Sequence, residues 1–312
     1  MDYLLIFIGF VILILGAHYL VDGSSGLAKR FNVSNLVIGL TVVAFGTSTP
    51  ELVVNLVAVN NPNTTDIALT NIIGSNSINV FIILGFAALV YPIKSQLSSR
   101  RFDIPMSLLA PLILILLAWK MDNTVSRADG LILMIFFIWF MYIMIRKSIN
   151  HPEKLIDSDF KPIKIWLALI MVFGGLGALV GGADLIVPSA VRIAESWGVS
   201  QAVIGLTIIA LGTSLPELAT SAVAAFKKNS DIALGNVIGS NIFNIFFILG
   251  ISSFIRPLPA YKGMIIDLLM VALGSILVLI FVYSNKSHQI KRWQGGLLML
   301  IYFAYLFWII SK

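Results

Sequence analysis

Apolar runs of about 20 residues recur along the whole of a 312-residue chain, and no other feature leaves so few folds open. A run of that length is what a helix needs to cross a hydrocarbon core of about 30 Å. With no water inside a bilayer, backbone groups must be satisfied within the helix itself or in a closed barrel. The chain is 58% hydrophobic and 12% charged, with mean hydropathy +0.96, whereas a soluble domain is about a quarter charged. The expectation is an all-α polytopic membrane protein with ten transmembrane helices, near 3–21, 34–59, 67–91, 103–119, 128–146, 164–186, 200–226, 232–255, 264–284 and 293–311. The second, third, seventh and eighth runs are long enough to be tilted, kinked or broken. Polar breaks such as DGSSGLAKRFN, NNPNTTD, MDNTVSR and KKNSD separate the spans. None is long enough for a soluble catalytic domain.

The first residues, MDYLLIFIGF, lack a basic region, which argues for a retained first span rather than a cleaved signal. With no cysteine there are no disulfides, thiolate metal sites or cysteine nucleophiles. The net charge of +6 sits in short inter-helix loops and reads as topology, not as a nucleic-acid surface. Of the 21 Lys and Arg residues, 15 fall in odd-numbered loops and 6 on the other side. The positive-inside rule then makes the odd loops cytoplasmic and puts both termini outside the cytoplasm.

The chain repeats itself. Gly39, Thr47, Ser48, Pro50 and Glu51 recur 166 residues later as Gly205, Thr213, Ser214, Pro216 and Glu217. NIIGSNSIN, from Asn71 to Asn79, recurs 165 residues later as NVIGSNIFN, from Asn236 to Asn244. Pro92 matches Pro257, and Gly130 matches Gly295. An odd number of spans per copy forces the second copy to enter the membrane from the opposite side. The expected organisation is two inverted five-helix repeats, 1–146 and 164–312, joined by a cytoplasmic connector at 147–163. Transporters use this architecture, and their sites lie near the midplane where the repeats meet.

A carboxylate inside an apolar span costs about 3 kcal/mol on insertion scales, so Glu51 and Glu217 need a common reason. On a helix Thr47, Glu51 and Asn55 share a face, with Ser48 beside it. Thr213, Ser214, Glu217 and Ser221 repeat the arrangement. Pro50 and Pro216 supply no N–H, which frees the carbonyls of Gly46 and Gly212 and lets nearby oxygens, those of Ala44 and Ala210 included, turn toward a cavity. Ser75 with Asn79, and Ser240 with Asn244, add hydroxyls and amides at i, i+4 spacing. Such hard oxygen ligands suit Ca2+ or Na+ rather than zinc or copper. Two negative charges match one divalent ion or more than one monovalent ion.

GTSTPE with NIIGSNSIN, and GTSLPE with NVIGSNIFN, resemble the two alpha repeats of the cation/calcium exchanger superfamily, above all its sodium/calcium exchanger branch. The resemblance covers essentially all ten spans. It implies antiport of Na+ against Ca2+ through one central site, normally extruding Ca2+ across the cell membrane. Glu51 and Glu217 would be the shared carboxylates, and Thr47 and Thr213 would supply calcium-site oxygens. Ser48, Ser214, Ala44, Ala210, Ser75 and Ser240 would line sodium sites, and Asn79 and Asn244 would complete the centre. Spans one and six would slide across the core to switch access. Thr49, Asn55 and Thr70 depart from the family pattern. Asn79 and Asn244 stand where potassium-dependent relatives carry an Asp at the second position, which argues against potassium coupling. A proton-coupled calcium carrier is the alternative, and a cation channel is a further rival. No H-E-x-x-H, nucleophile elbow or phosphate loop points to an enzyme. No cofactor or nucleic-acid partner is expected. The partners are the transported ions and the lipid bilayer, with a monomer as the functional unit.

Other polar residues have simpler readings. Asp66 and Asp231 suit helix N-caps, and Asp103 and Asp267 suit span boundaries. Asp22 and Asp184 suit either interfacial anchoring or gating. The aromatics Trp293, Tyr302, Phe303, Tyr305, Phe307 and Trp308 suit a lipid-facing surface.

Overall fold

The computed structural model describes residues 1–61, 65–119, 124–150, 163–198 and 210–311. Helices dominate: α1 Asp2–Phe31, α2 Asn35–Thr47, α3 Thr49–Asn60, α4 65–90, α5 Ser99–Ala118, α6 Arg127–Asn150, α7 Ile165–Ser196, α8 Ala210–Thr213, α9 Leu215–Phe226, α10 Ser230–Ile255, α11 Met264–Tyr283 and α12 Arg292–Ile310. Among the described residues seven helices are long and apolar enough to cross a membrane, or eight when the bent pair α2 and α3 counts as one span. Residues 199–209, which include the start of the expected seventh span at 200, and the connector residues 151–162 lie outside the described residues.

Two expectations about the first and sixth spans need correction. The stretch DGSSGLAKRFN is not a break: α1 continues to Phe31 and ends at Asn32, a left-handed C-cap with φ 53°. Its glycines are a packing surface. A Cβ on Gly23 would lie 2.8 Å from the Met171 side chain and 2.9 Å from the Ala168 carbonyl of α7. Helix α7 likewise runs through Pro188 to Ser196. The two long helices pack antiparallel along their length, with Gly9 against Gly182 and Gly16 against Gly175 close enough that an added methyl would strike backbone.

The centre is made by α4 and α10. Over their apolar windows they are 78% and 94% buried inside the protein, against 28–33% for α1, α6 and α7. Helix α2 crosses α10 almost backbone to backbone: a Cβ on Gly239 would lie 2.7 Å from the Leu40 carbonyl. Gly85 of α4 meets Gly295 of α12, and Gly250 of α10 meets Gly130 of α6. Those two contacts map onto each other under a shift of 165 residues.

The same shift relates the only strands among the described residues, which the all-helical expectation did not include. Ile93–Lys94 pairs antiparallel with Gln289–Ile290, and Thr124–Val125 with Leu258–Pro259. Each pair joins one half to the other. Both lie at helix ends and use the ladder to satisfy backbone groups just outside the apolar windows.

Smaller corrections follow. The N-cap of α10 is Asn229, whose side chain accepts from the Ile232 N–H at 3.1 Å. Asp231 instead accepts from Gln96 Nε2 at 2.9 Å. Asp267 sits in the first turn of α11 and accepts from the hydroxyls of Tyr261 and Tyr305, both at 2.5 Å. Tyr305 therefore faces protein rather than lipid, while Trp293, Phe303, Phe307 and Trp308 are exposed as expected. Residues 147–150, assigned to the connector, continue α6.

Candidate ion-binding site

The helix carrying Glu51 is broken, not merely kinked. Ser48 has φ −82° and ψ 8°, and the axis turns by 45° between α2 and α3. Ser214 does the same between α8 and α9, with φ −90° and ψ 6°. Pro50 and Pro216 therefore fall in the first turn of a new helix, where a missing N–H costs no hydrogen bond. Glu51 and Glu217 follow in that same first turn, near the positive end of the helix dipole. A short, broken helix thus offsets part of the cost of burying each carboxylate. The carbonyl of Ala44 is less free than expected, because it accepts from the Ser48 N–H at 3.0 Å. The backbone of Ala210 opens α8.

The structure brings most of the expected residues together. Glu51 and Glu217 are at most 1% exposed, and Ala44, Thr47, Ser48, Ser214, Ser75, Ser240, Asn79 and Asn244 are all buried. Each carboxylate is held by the other half's serine. Ser48 Oγ donates to Glu217 Oε1 at 2.9 Å, and Ser214 Oγ to Glu51 Oε1 at 3.4 Å. Ser75 Oγ reaches the same Glu51 oxygen at 3.4 Å and accepts from Ser214 Oγ at 3.3 Å. Thr213 lies beside Glu51. Thr47 Oγ1 donates to Asn236 Oδ1 at 3.0 Å.

Asn79 and Asn244 sit in π-helical segments, Asn79–Leu84 and Phe243–Leu249, a local form that recurs at functional sites. With Asn76 and Asn241 in the α-helical turns just before these segments, four amides form a closed exchange between α4 and α10. Asn76 Nδ2 donates to the Asn241 carbonyl at 3.1 Å, and Asn241 Nδ2 to the Asn76 carbonyl at 3.2 Å. Asn79 Nδ2 donates to Asn241 Oδ1, and Asn244 Nδ2 to Asn76 Oδ1, each at 3.0 Å. This fixes which way Asn79 and Asn244 point, and leaves the Oδ1 atom of each without a partner.

Glu51 Oε2, Glu217 Oε2, Asn79 Oδ1, Asn244 Oδ1 and Ser240 Oγ are buried oxygens with no hydrogen-bond partner. Native interiors rarely leave such groups alone. All five belong to candidate ligands, while other buried oxygens without a partner, such as those of Ser24, Thr220 and Ser252, lie outside that set. No group of three or more His, Cys, Asp or Glu occurs among the described residues, so the donor set is two carboxylates with neutral oxygens, a set that fits hard cations.

Three asparagines outside the candidate ligand set also belong to the site. Asn76, Asn241 and Asn236 orient it rather than line it: Asn236 Nδ2 donates to Ser221 Oγ at 3.0 Å and to the Glu217 carbonyl at 3.3 Å. Their signal was present, because all three lie in the repeated NIIGSNSIN and NVIGSNIFN stretches. Asn55 was placed on the Glu51 face, and its fully buried amide has no partner on either atom. Thr49 points away, its hydroxyl donating to the Phe45 carbonyl at 3.0 Å. Exposed Thr70 donates to the Ile67 carbonyl at 3.1 Å.

A buried set of two carboxylates and neutral oxygens between duplicated helices fits a membrane protein that handles cations, and similarity to known proteins narrows the class. The family model described as sodium/calcium exchanger protein matches residues 1–146 and 167–311. The chain is 33% identical to the sodium/calcium exchanger MaX1 of Methanosarcina acetivorans, over 98% of this chain and 97% of that protein. It is also 33% identical to the inner membrane protein YrbG of Escherichia coli, over 98% and 96%. A solved structure of the sodium-calcium exchanger NCX_Mj superposes with a TM-score of 0.85 at 32% identity, covering 99% of this chain and 98% of that one. The chain belongs to the sodium/calcium exchanger family, and is a membrane-embedded cation/calcium antiporter by that membership.

Proposed function

We propose that the protein exchanges Na+ for Ca2+ by alternating access, with Na+ entry driving Ca2+ out of the cell. The observation that carries this reading is the set of unpaired buried oxygens on Glu51, Glu217, Asn79, Asn244 and Ser240. Two carboxylates in a dry cavity are costly without a cation. An empty carrier is therefore held back from switching, whereas one Ca2+ or several Na+ neutralise the charge and permit it. NCX_Mj, at 32% identity, has been soaked with Na+ and with Sr2+ or Ca2+, which supports the same ions here.

In this reading the chain forms ten spans in two inverted five-helix repeats, 1–146 and 164–312. The strand pairs and glycine contacts that map onto each other across 165 residues support a pseudo-two-fold relation between them. Thr47, Thr213, Ser48, Ser214, Ser75, Ala44 and Ala210 complete the ion-binding set. The protein sits in the cell membrane with both termini extracytoplasmic and works as a monomer, since one chain supplies every site residue. Ca2+ uptake into proteoliposomes loaded with Na+, H+, K+ or choline as counter-ion tests the coupling. Uptake is expected with Na+ alone, and equal uptake with an H+ gradient refutes sodium coupling.

A further inference from the structure

The α1–α7 pair is tied down differently at its two ends. At one end it is tied to itself: Arg192 of α7 donates to Asp2 of α1 at 2.6 and 2.9 Å. Asp22 lies 20 residues further along α1, about 30 Å away at 1.5 Å per residue. There α1 is tied to the central helices instead. Lys227, the residue after α9, donates to Asp22 Oδ1 at 2.5 Å and to the His18 carbonyl at 3.4 Å. Asn229, the N-cap of α10, donates to Ser25 Oγ at 3.2 Å. Lys227 and Asp22 are 23% and 26% exposed, so solvent screens the pair less than at an open surface.

Among the described residues the first half does not repeat this ion pair. The residue that corresponds to Lys227 is Asn61, which carries no charge, and Asp184 on α7 is exposed. The contact is therefore one-ended, and it holds α1 across α9, the helix that leads from Lys227 to Glu217.

Resting on the alternating-access reading above, we propose that Asp22–Lys227, reinforced by Ser25–Asn229, is a latch. It holds the α1–α7 pair against α9 and α10 at the Lys227 end, and it opens whenever the site is exposed at that end. The tight glycine interface makes α1 and α7 move as one body, so a bond on α1 restrains both.

The chain has no cysteine, so Phe31→Cys with Phe226→Cys, both exposed positions, gives a clean pair of spin-label sites across the latch. Pulsed electron paramagnetic resonance on the reconstituted protein reports their distance, and Na+-driven Ca2+ uptake is measured on the same vesicles. Asp22→Asn is expected to raise the separated population up to about fivefold, the reach of a partly exposed ion pair. Ser25→Ala shifts it less. The exchanged pair Asp22→Lys with Lys227→Asp returns the distribution toward the parent. A parental distribution in Asp22→Asn overturns the latch, as does an exchanged pair that behaves like Asp22→Asn. Absent uptake in the labelled parent with the distance shift intact refutes the exchanger reading and leaves the latch standing.

Discussion

Asn241→Ala tests how far the site depends on residues outside the candidate ligand set. The side chain makes two buried bonds, donating to the Asn76 carbonyl at 3.2 Å and accepting from Asn79 Nδ2 at 3.0 Å. Its removal orphans one acceptor and one donor. In soluble interiors each orphan costs about 1–3 kcal/mol, but inside membranes measured side-chain bonds average about 0.6 and reach about 1.7 kcal/mol. The membrane figures decide, so the expected loss is about 1–3 kcal/mol in total. The main-chain carbonyl of residue 241 still accepts from Asn76, which keeps the helices apposed. Asn79 loses the bond that aims its oxygen, so affinity falls as well as stability. Thermal unfolding in detergent, with Na+ and Ca2+ titrations of uptake, measures both. Asn76→Ala removes the other two bonds of the exchange, to the Asn241 carbonyl and from Asn244 Nδ2, and should cost a similar amount. Unchanged ion affinity in Asn241→Ala refutes the reasoning.

Ser48→Ala should weaken apparent Ca2+ affinity more than Ser214→Ala, by up to about tenfold, because its bond to a carboxylate is 2.9 Å against 3.4 Å; equal effects in uptake titrations count against the crossed-serine geometry. Gly175→Ala should destabilise by about 1–3 kcal/mol through overpacking, since its Cβ would lie 2.7 Å from the Gly16 carbonyl. Gly177→Ala on the same helix meets nothing within 4 Å and should be neutral or slightly stabilising, which melting curves of the two variants compare directly.

The membrane class, the paired glutamates and their hydroxyl neighbours were legible because each rests on a local rule. Length and polarity give a span, and a duplicated carboxylate in an apolar run gives a candidate site. What was not legible depends on contacts between distant residues. DGSSGLAKRF looks like a loop because glycine and serine are poor helix formers, yet α7 supplies the surface that makes Gly23 and Gly26 helical. From sequence alone the prolines look like breaks that free carbonyls inside a kinked helix. They start new helices, and the break falls two residues earlier at Ser48 and Ser214. The exchange among Asn76, Asn79, Asn241 and Asn244 needs α4 and α10 face to face, which no single window of sequence encodes. Asp231 lost the capping role to Asn229 because Gln96, 135 residues away, occupies its carboxylate.

The central claim is that Glu51 and Glu217 act as one site. Na+-gradient-driven Ca2+ uptake by proteoliposomes carrying Glu51→Gln or Glu217→Gln tests it most directly. Glutamine keeps the shape and removes one of the two negative charges that balance a divalent ion. Each substitution alone is expected to reduce uptake by at least about 100-fold, corresponding to about 2.7 kcal/mol, with the protein still folded by thermal melting. Undiminished exchange in both variants would contradict the account.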